Sequence, residues 1–436
     1  WTVAMHCRRN GKPMMKKYLQ TRLGLLALVV LVGALAFWYH SGDEPMVAEE
    51  QAPFVATAQQ VEQGAYLARA GNCAACHTVR GGAVYAGGVG IATPFGTVYS
   101  SNLTPDDSTG LGQWSAADFW RAMHQGRSRD GHLLYPAFPY TSYTLIRRED
   151  SDALFAYLRT LTPVTQPNQA HALAFPWRSQ TALAVWRVLF FKPTVFEPDP
   201  ARTPQWNRGA YLVQGLGHCA ACHAPRNLLG ATQGANALRG GVISVQHWYA
   251  PSLVDTQEAG IRADDIAPTV QLLRTGIAAG RSAMGPMAEV VVRSTQHLTD
   301  ADLQAMAVYL ADLASASPPA PVLRAADRPT PSVTGEKIYT RHCAQCHGER
   351  GEGAPGAYAP LAGNRAVTMG HSANLVQAVL KGGFPPATAG NPRPFGMPPF
   401  RQTLDDAEVA EVLSYIRQAW GNAAPAVSVL EVMQRQ

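Results

Sequence analysis

Gly217-His218-Cys219-Ala220-Ala221-Cys222-His223 stands near the middle of the chain, and its last five residues recur as Cys73-Ala74-Ala75-Cys76-His77 and Cys343-Ala344-Gln345-Cys346-His347. Cys-x-x-Cys-His is the sequence that attaches a c-type haem. Two thiols three residues apart lie on one side of a helical turn, where each can form a thioether with one haem vinyl group. The next residue, His, then sits beneath the iron as proximal ligand. A structural zinc ribbon would place its second Cys-x-x-Cys about 15–20 residues on, and these copies are spaced far more widely. A redox dithiol has no use for the trailing histidine. Six of the seven cysteines fall in the motifs. The expectation is three covalently bound haems, held by Cys73, Cys76, Cys219, Cys222, Cys343 and Cys346, with His77, His223 and His347 on the irons.

The repeats extend beyond the motifs. A short helical pattern precedes each one: Gly64-Ala65-Tyr66-Leu67, Gly209-Ala210-Tyr211-Leu212 and Gly335-Glu336-Lys337-Ile338-Tyr339. A long loop rich in Gly and Pro follows each motif. An acidic-capped amphipathic helix then closes the unit, over Glu149 to Thr160, Thr299 to Leu313 and Leu404 to Trp420. Asp and Glu in a first turn complement the helix dipole, and apolar residues recur at helical spacing. A unit of about 100 residues with so much loop can hardly bury enough side chains unless the haem is itself most of the core. The fold class read from this is mainly α, with three tandem cytochrome c domains behind an N-terminal membrane anchor or signal helix. The expected boundaries are residues 1–50 for the basic flank and anchor, and 55–165, 205–314 and 333–421 for the haem domains. Residues 166–204 are an apolar interdomain segment, 315–332 a Pro-rich linker and 422–436 a tail.

With 436 residues the chain has room for about two to four domains. Hydrophobic residues at 47% suffice for packed cores, and 15% charged residues is low for a chain facing water throughout. The formal charge of +5 is concentrated at one end. Residues 1–22 hold Arg8, Arg9, Lys12, Lys16, Lys17 and Arg22 and no acid, which leaves the rest close to neutral. Without a basic stripe, nucleic acid is not an expected partner. Leu23 to Tyr39 carries no charge and is at the short limit, about 17 residues, for crossing a bilayer. Ala34-Leu35-Ala36 resembles a signal cleavage site, while Phe37-Trp38-Tyr39 resembles an interfacial aromatic belt. The anchor is the reading adopted, with a cleaved signal as its alternative. Either places the haem domains in the periplasm, at the bacterial inner membrane. Trp177, Trp186, Leu189-Phe190-Phe191 and Phe196 make the interdomain segment too apolar for a free linker, so it should pack on a neighbouring surface.

An electron-carrying haem usually has a second axial ligand, and His/Met ligation raises its potential. Met397, in Gly396-Met397-Pro398-Pro399-Phe400, and Met287, in Gly285-Pro286-Met287-Ala288, stand in the loops before the closing helices, with Met284 as an outside candidate. The first unit has Phe138 where Met would stand. Aligning the glycines that end the preceding helices, Gly126, Gly276 and Gly382, sets Met123 against Leu273 and Val379. Met123 is therefore the candidate sixth ligand of haem one, with His132 or an open iron as alternatives. His124, His132, His218 and His342 read otherwise as surface residues. Pro94, Pro251 and Pro360 each follow a motif, where a proline carbonyl can fix the tautomer of the proximal His.

These strings, with Thr93-Pro94-Phe95-Gly96-Thr97, Trp206-Asn207-Arg208-Gly209-Ala210-Tyr211-Leu212 and His223-Ala224-Pro225-Arg226-Asn227, closely resemble one family. It is the three-haem cytochrome c subunits of bacterial membrane-bound periplasmic dehydrogenases for alcohols, aldehydes and sugar acids. The resemblance covers about residues 55–420. It implies that substrate is oxidised on another subunit, carrying pyrroloquinoline quinone, flavin, or molybdopterin with iron–sulfur clusters, and that this chain passes the electrons to ubiquinone or a terminal acceptor. Phe138 and the anchor lean towards the molybdopterin type, with a small third subunit as an optional partner. Two rivals stand beside this reading. One is a peroxidase-like haem enzyme using an open haem one; the other is a cytochrome module feeding a terminal oxidase.

Overall fold

The computed structural model describes residues 54–232, 238–243, 245–278, 280–316 and 330–436, with Tyr18, Thr21 to Gly24 and Gly33 ahead of them. Most of Leu23 to Tyr39 and most of the Pro-rich linker lie outside these residues. No helix among the described residues is long and apolar enough to cross a membrane. The chain divides into two compact units, one of residues 54–172 with 193–436 and one of residues 173–192 with the N-terminal stretch. In the smaller unit, Ser179 caps a helix at Gln180–Phe190 that buries Leu183, Ala184 and Trp186 and leaves Val188 and Leu189 exposed.

The larger unit contains three helical repeats. Each opens with a helix, Ala58–Ala70, Pro204–Gln214 or Val333–His342. Each closes with another, Arg148–Arg159, Asp300–Ser315 or Asp406–Gln418. Local chemistry sets the starts. Thr57, Thr203 and Ser332 each accept a backbone N–H from the first turn of an opening helix, and Thr299 and Asp405 do so for two of the closing helices. Asp405 and Glu408 form a full capping box.

The two helices of a repeat cross at a glycine. A Cβ on Gly64 would overlap the Ala153 carbonyl and the Tyr157 side chain. One on Gly209 would overlap Ala305 and Tyr309, and one on Gly335 would overlap Glu411 and Tyr415. The helical glycines thus let backbones approach as close as sterics allow, at a propensity cost of about 1 kcal/mol each. Three residues on, Leu67, Leu212 and Ile338 enter the three separate cores. Such burial contributes about 1.5–3 kcal/mol per side chain. Middle helices at Ala116–Gln125, Ile266–Thr275 and Ala373–Lys381 complete the repeats. They end at Gly126, Gly276 and Gly382, each at φ between 61° and 80°, as the glycine alignment in the sequence predicts.

The first and second repeats are joined by a reciprocal exchange. Tyr66 of the first opening helix donates to Asp302 of the second closing helix at 2.5 Å. Tyr211 of the second opening helix donates to Asp150 of the first closing helix. Each tyrosine lies two residues after its crossing glycine, and each aspartate three before the alanine that the glycine meets. The contact is therefore pseudo-twofold, the intramolecular counterpart of an isologous dimer interface. Arg208 adds two bonds to Asp302, at 2.8 and 2.7 Å. Ala70 packs into the second core and Leu216 into the first. The third repeat has Lys337 and Glu408 at the corresponding positions and meets the second repeat differently. Asn374 exchanges two hydrogen bonds with the Tyr249 backbone, at 2.9 and 2.8 Å, and Thr388 donates to the Thr275 carbonyl.

The ends of the apolar segment that lie in this unit bond to the first repeat, and the Phe196 ring packs on Tyr211 of the second. Asn168 accepts from the Asn102 N–H at 2.8 Å, and the Phe196 N–H reaches the Leu145 carbonyl at 3.1 Å.

Candidate haem-attachment sites

Each motif forms a single helical turn directly after an opening helix: Cys73–His77, Ala220–His223 and Ala344–His347. The first cysteine of each is partly buried and packs against its repeat's core. Burial pushes the Cys73 and Cys219 thiols up to about 12 and Cys343 to about 11. Apolar surroundings of that kind disfavour the thiolate that zinc binding or thiol exchange requires. Among the described residues no group of His, Cys, Asp and Glu could hold a metal ion through protein side chains alone. Thioether formation, which removes the thiol altogether, suits these positions.

The three histidines share one environment. His77 Nδ1 lies 2.7 Å from the Ser101 carbonyl, His223 Nδ1 2.7 Å from Pro251, and His347 Nδ1 3.0 Å from Ala359. A carbonyl can only accept, so Nδ1 carries the proton and Nε2 is left with its lone pair, as an iron ligand requires. Burial lowers the pKa of each ring against the opposing effect of the carbonyl bond, which keeps the imidazole neutral. The histidines' own carbonyls also recur in one arrangement. They accept from the N–H groups of Gly87, Gly240 and Gly353, each at 2.8 Å, and all three glycines have positive φ.

The proline expectation holds only for Pro251. Pro94 sits in the turn between strands Gly90–Thr93 and Gly96–Tyr99, and the partner of His77 is Ser101 beyond the second strand. The partner of His347 is Ala359, one residue before Pro360. A better signal was in the sequence. Tyr99-Ser100-Ser101-Asn102-Leu103 matches Tyr249-Ala250-Pro251-Ser252-Leu253, and the backbone oxygen does not depend on a proline ring.

The third repeat shows the most complete site. A cavity of about 550 Å³ gathers Cys343, Cys346, His347 and Met397 from that repeat, with Arg281, Ser282 and Met284 from the second. Met397 is pinned by paired backbone bonds with Gly383, at 2.9 and 2.8 Å. In the second repeat, Met287 lies in the first turn of a helix at Pro286–Arg293. The preceding Gly285, at φ 55°, abuts the Trp248 indole at the base of the strand leading to Pro251. Met284 is drawn away into the cavity of the third repeat.

In the first repeat the backbone shows why Phe138 is a true replacement. The Leu134 N–H binds the Gly126 carbonyl as the Ala283 N–H binds Gly276, and counting on from these puts Phe138 level with Met287. Met123 is 5% exposed and belongs to a core with Tyr85, Phe119 and Tyr143, against which Cys73 and Phe138 pack. His132 is exposed and held by Asp130 at 2.5 Å. His124 is half-buried, stacked on Trp120 and bonded to the Thr144 carbonyl.

Two histidines expected at the surface are not bystanders. His218 bonds the Leu216 carbonyl at 2.7 Å and meets Tyr143 of the first repeat edge to face. His342 lines the cavity of the third repeat. Sequence position gave no sign of either role, because both depend on a neighbour brought in by the fold.

Both cysteines, a neutral histidine and a methionine thus converge where a haem would be held. Ser282, whose hydroxyl is buried without a hydrogen-bond partner, is among the residues lining the cavity. The residues fit the group.

The cytochrome c family model matches residues 61–162 and 332–420, that is, the first and third repeats. The cytochrome c subunit of the quinone-dependent alcohol dehydrogenase of Gluconacetobacter polyoxogenes is 38% identical over 384 residues, 84% of this chain and 81% of that one. The gluconate 2-dehydrogenase cytochrome c subunit of Pantoea cypripedii is 38% identical over 387 residues, covering 84% and 87%. The fructose dehydrogenase cytochrome subunit of Gluconobacter japonicus is 34% identical over 415 residues, covering 88% and 84%.

Proposed function

The chain belongs to the family of cytochrome c subunits of alcohol, gluconate and fructose dehydrogenases, and from that premise we propose that it carries three covalent haems and relays electrons from a catalytic subunit to ubiquinone. A bound haem supplies an iron that takes up and releases one electron at a time. The protein residues hold and tune it. Cys73 and Cys76, Cys219 and Cys222, and Cys343 and Cys346 would form the thioethers. His77, His223 and His347 would offer Nε2 to the irons, while the carbonyls of Ser101, Pro251 and Ala359 hold each ring in the ligating tautomer.

Met397 and Met287 would complete the third and second sites, and Met123, buried beside the core face that Cys73 packs on, the first. No side chain is assigned acid–base or nucleophilic work; the protein's part is ligation, burial and spacing. The threefold recurrence of one histidine geometry behind three attachment motifs carries this reading.

The partner is a dehydrogenase catalytic subunit, with the molybdopterin type preferred and a small third subunit optional. The site of action is the periplasmic face of the bacterial inner membrane, with Leu23 to Tyr39 as anchor. Purified complex tests the proposal. Mass spectrometry should give the mass of the chain plus three haems, and substrate should reduce a ubiquinone analogue only when this subunit is present. A chain with fewer bound haems, or quinone reduction undiminished in its absence, overturns the proposal.

A further inference from the structure

Arg281 belongs to the second repeat, on the short strand Arg281–Ser282, yet it lines the cavity that holds Cys343, Cys346 and His347 of the third. Among the described residues lining that cavity it is the one permanent cation; Glu352 lies there as an anion, accepting the Arg350 N–H. Behind it sits Asp265, a carboxylate almost wholly buried, which accepts from Arg281 and from Arg365 of the third repeat, the latter at 3.2 Å. Arg262 approaches the same carboxylate at 3.7 Å and also reaches Asp264 at 3.6 Å. Arg365 is further fixed by the Thr256 and Gly260 carbonyls, at 3.2 and 2.9 Å.

Three guanidinium groups therefore share two carboxylates, and Arg281 is the member of that cluster that lines the cavity. Asp265 is shared between Arg281 and Arg365, so it neutralises Arg281 only in part. The ligand that such a cation takes from inside the cavity is an anionic oxygen. A haem bears two such groups, its propionate carboxylates.

We propose that Arg281 of the second repeat binds a propionate of the haem attached to the third, with Asp265 and Arg365 holding Arg281 in place. This rests on the reading of Cys343, Cys346 and His347 as a haem site. Arg281 is a positioning and tuning residue: a cation beside the haem favours the reduced, less positive iron. The second repeat therefore sets the potential of its neighbour, and Asp265 partly offsets that effect.

The test is redox titration of the purified holoprotein, with the third haem assigned as the wave that moves in Met397→Ala. Mass spectrometry of the wild type first establishes three bound haems; a smaller number refutes the underlying reading rather than this inference. Arg281→Leu should lower the third-haem equilibrium for reduction about tenfold, equivalent to ~59 mV for a one-electron couple. Asp265→Asn, which frees Arg281 from its competitor, should shift it upward. Arg281→Lys should stay near the wild-type value, and Arg202→Leu, a cation paired with Asp312, should leave it unchanged. A change in packing alone would not give opposite signs. An unmoved third wave in Arg281→Leu with full haem content, a shift in the same direction in Asp265→Asn, or an equal shift in Arg202→Leu overturns the proposal.

Discussion

The Tyr66 hydroxyl meets Asp302 Oδ2 at 2.5 Å across the boundary of the first and second repeats. Its pseudo-symmetric counterpart, Tyr211 to Asp150, crosses the same boundary in the opposite direction. Hydrogen bonds to a charged acceptor contribute about 1.5–3 kcal/mol. Tyr66→Phe and Tyr211→Phe should each lower stability by about 1–2 kcal/mol in urea titration. Because the two bonds clamp one interface, the double variant should deviate from additivity, which a double-mutant cycle will measure.

The same clamp predicts acid sensitivity. Burial alone would raise the Asp302 carboxyl, but its bonds to Arg208 and Tyr66 outweigh burial and hold it below the usual range. A depressed folded-state pKa contributes stability that is present above the unfolded value, about 3.9, and is lost as pH falls through the folded one. Stability should therefore drop below about pH 4, and Asp302→Asn should flatten that limb of the profile while lowering stability at pH 7. A wild-type profile that is level between pH 5 and pH 2 would refute the assignment.

Crossing glycines make a sharper case. Gly64→Ala, Gly209→Ala and Gly335→Ala each push a methyl into the carbonyl of the closing helix. Overpacking of this kind costs about 1–3 kcal/mol, occasionally more. Haem incorporation, read as Soret absorbance per chain, should fall in each variant. Gly370→Ala serves as control: no atom lies within 4 Å of a Cβ there, so stability should change by less than about 0.5 kcal/mol.

Removal of the candidate sulfur ligands should be visible in spectra without abolishing attachment. Met397→Ala should lower one haem potential and diminish the sulfur-to-iron charge-transfer band of the oxidised protein, since loss of His/Met ligation lowers potential. Met123→Ala should diminish the same band by a comparable amount. A band unchanged in Met123→Ala would leave the first iron with another sixth ligand or none.

What the sequence disclosed follows from the range of the interactions involved. The attachment motifs, the helix pairs and the capping glycines Gly126, Gly276 and Gly382 depend on residues a few positions apart, and periodicity exposes them. The carbonyl opposite His77 lies 24 residues away across a hairpin, so counting to the nearest proline missed it. Tyr66 and Asp302 are separated by 236 positions, and nothing local in either helix announces that each belongs to the other repeat's partner. Met284 reads as a feature of the second repeat and, with Arg281, lines the cavity of the third for the same reason. Phe138 was legible as a departure; that Met123 shares its core needed the fold.

Each motif histidine is tied twice, its carbonyl to a left-handed glycine and its ring to a later carbonyl, and those later carbonyls lie 24, 28 and 12 residues downstream. The chain between the two ties leaves the histidine and returns to it, so its length is decoupled from the geometry of the ring. Excursions from Gly87 to Ser101 and from Gly240 to Pro251 are thus natural insertion points. Evolution can lengthen, trim or redecorate them to suit a new docking subunit while the redox centre stays where it is.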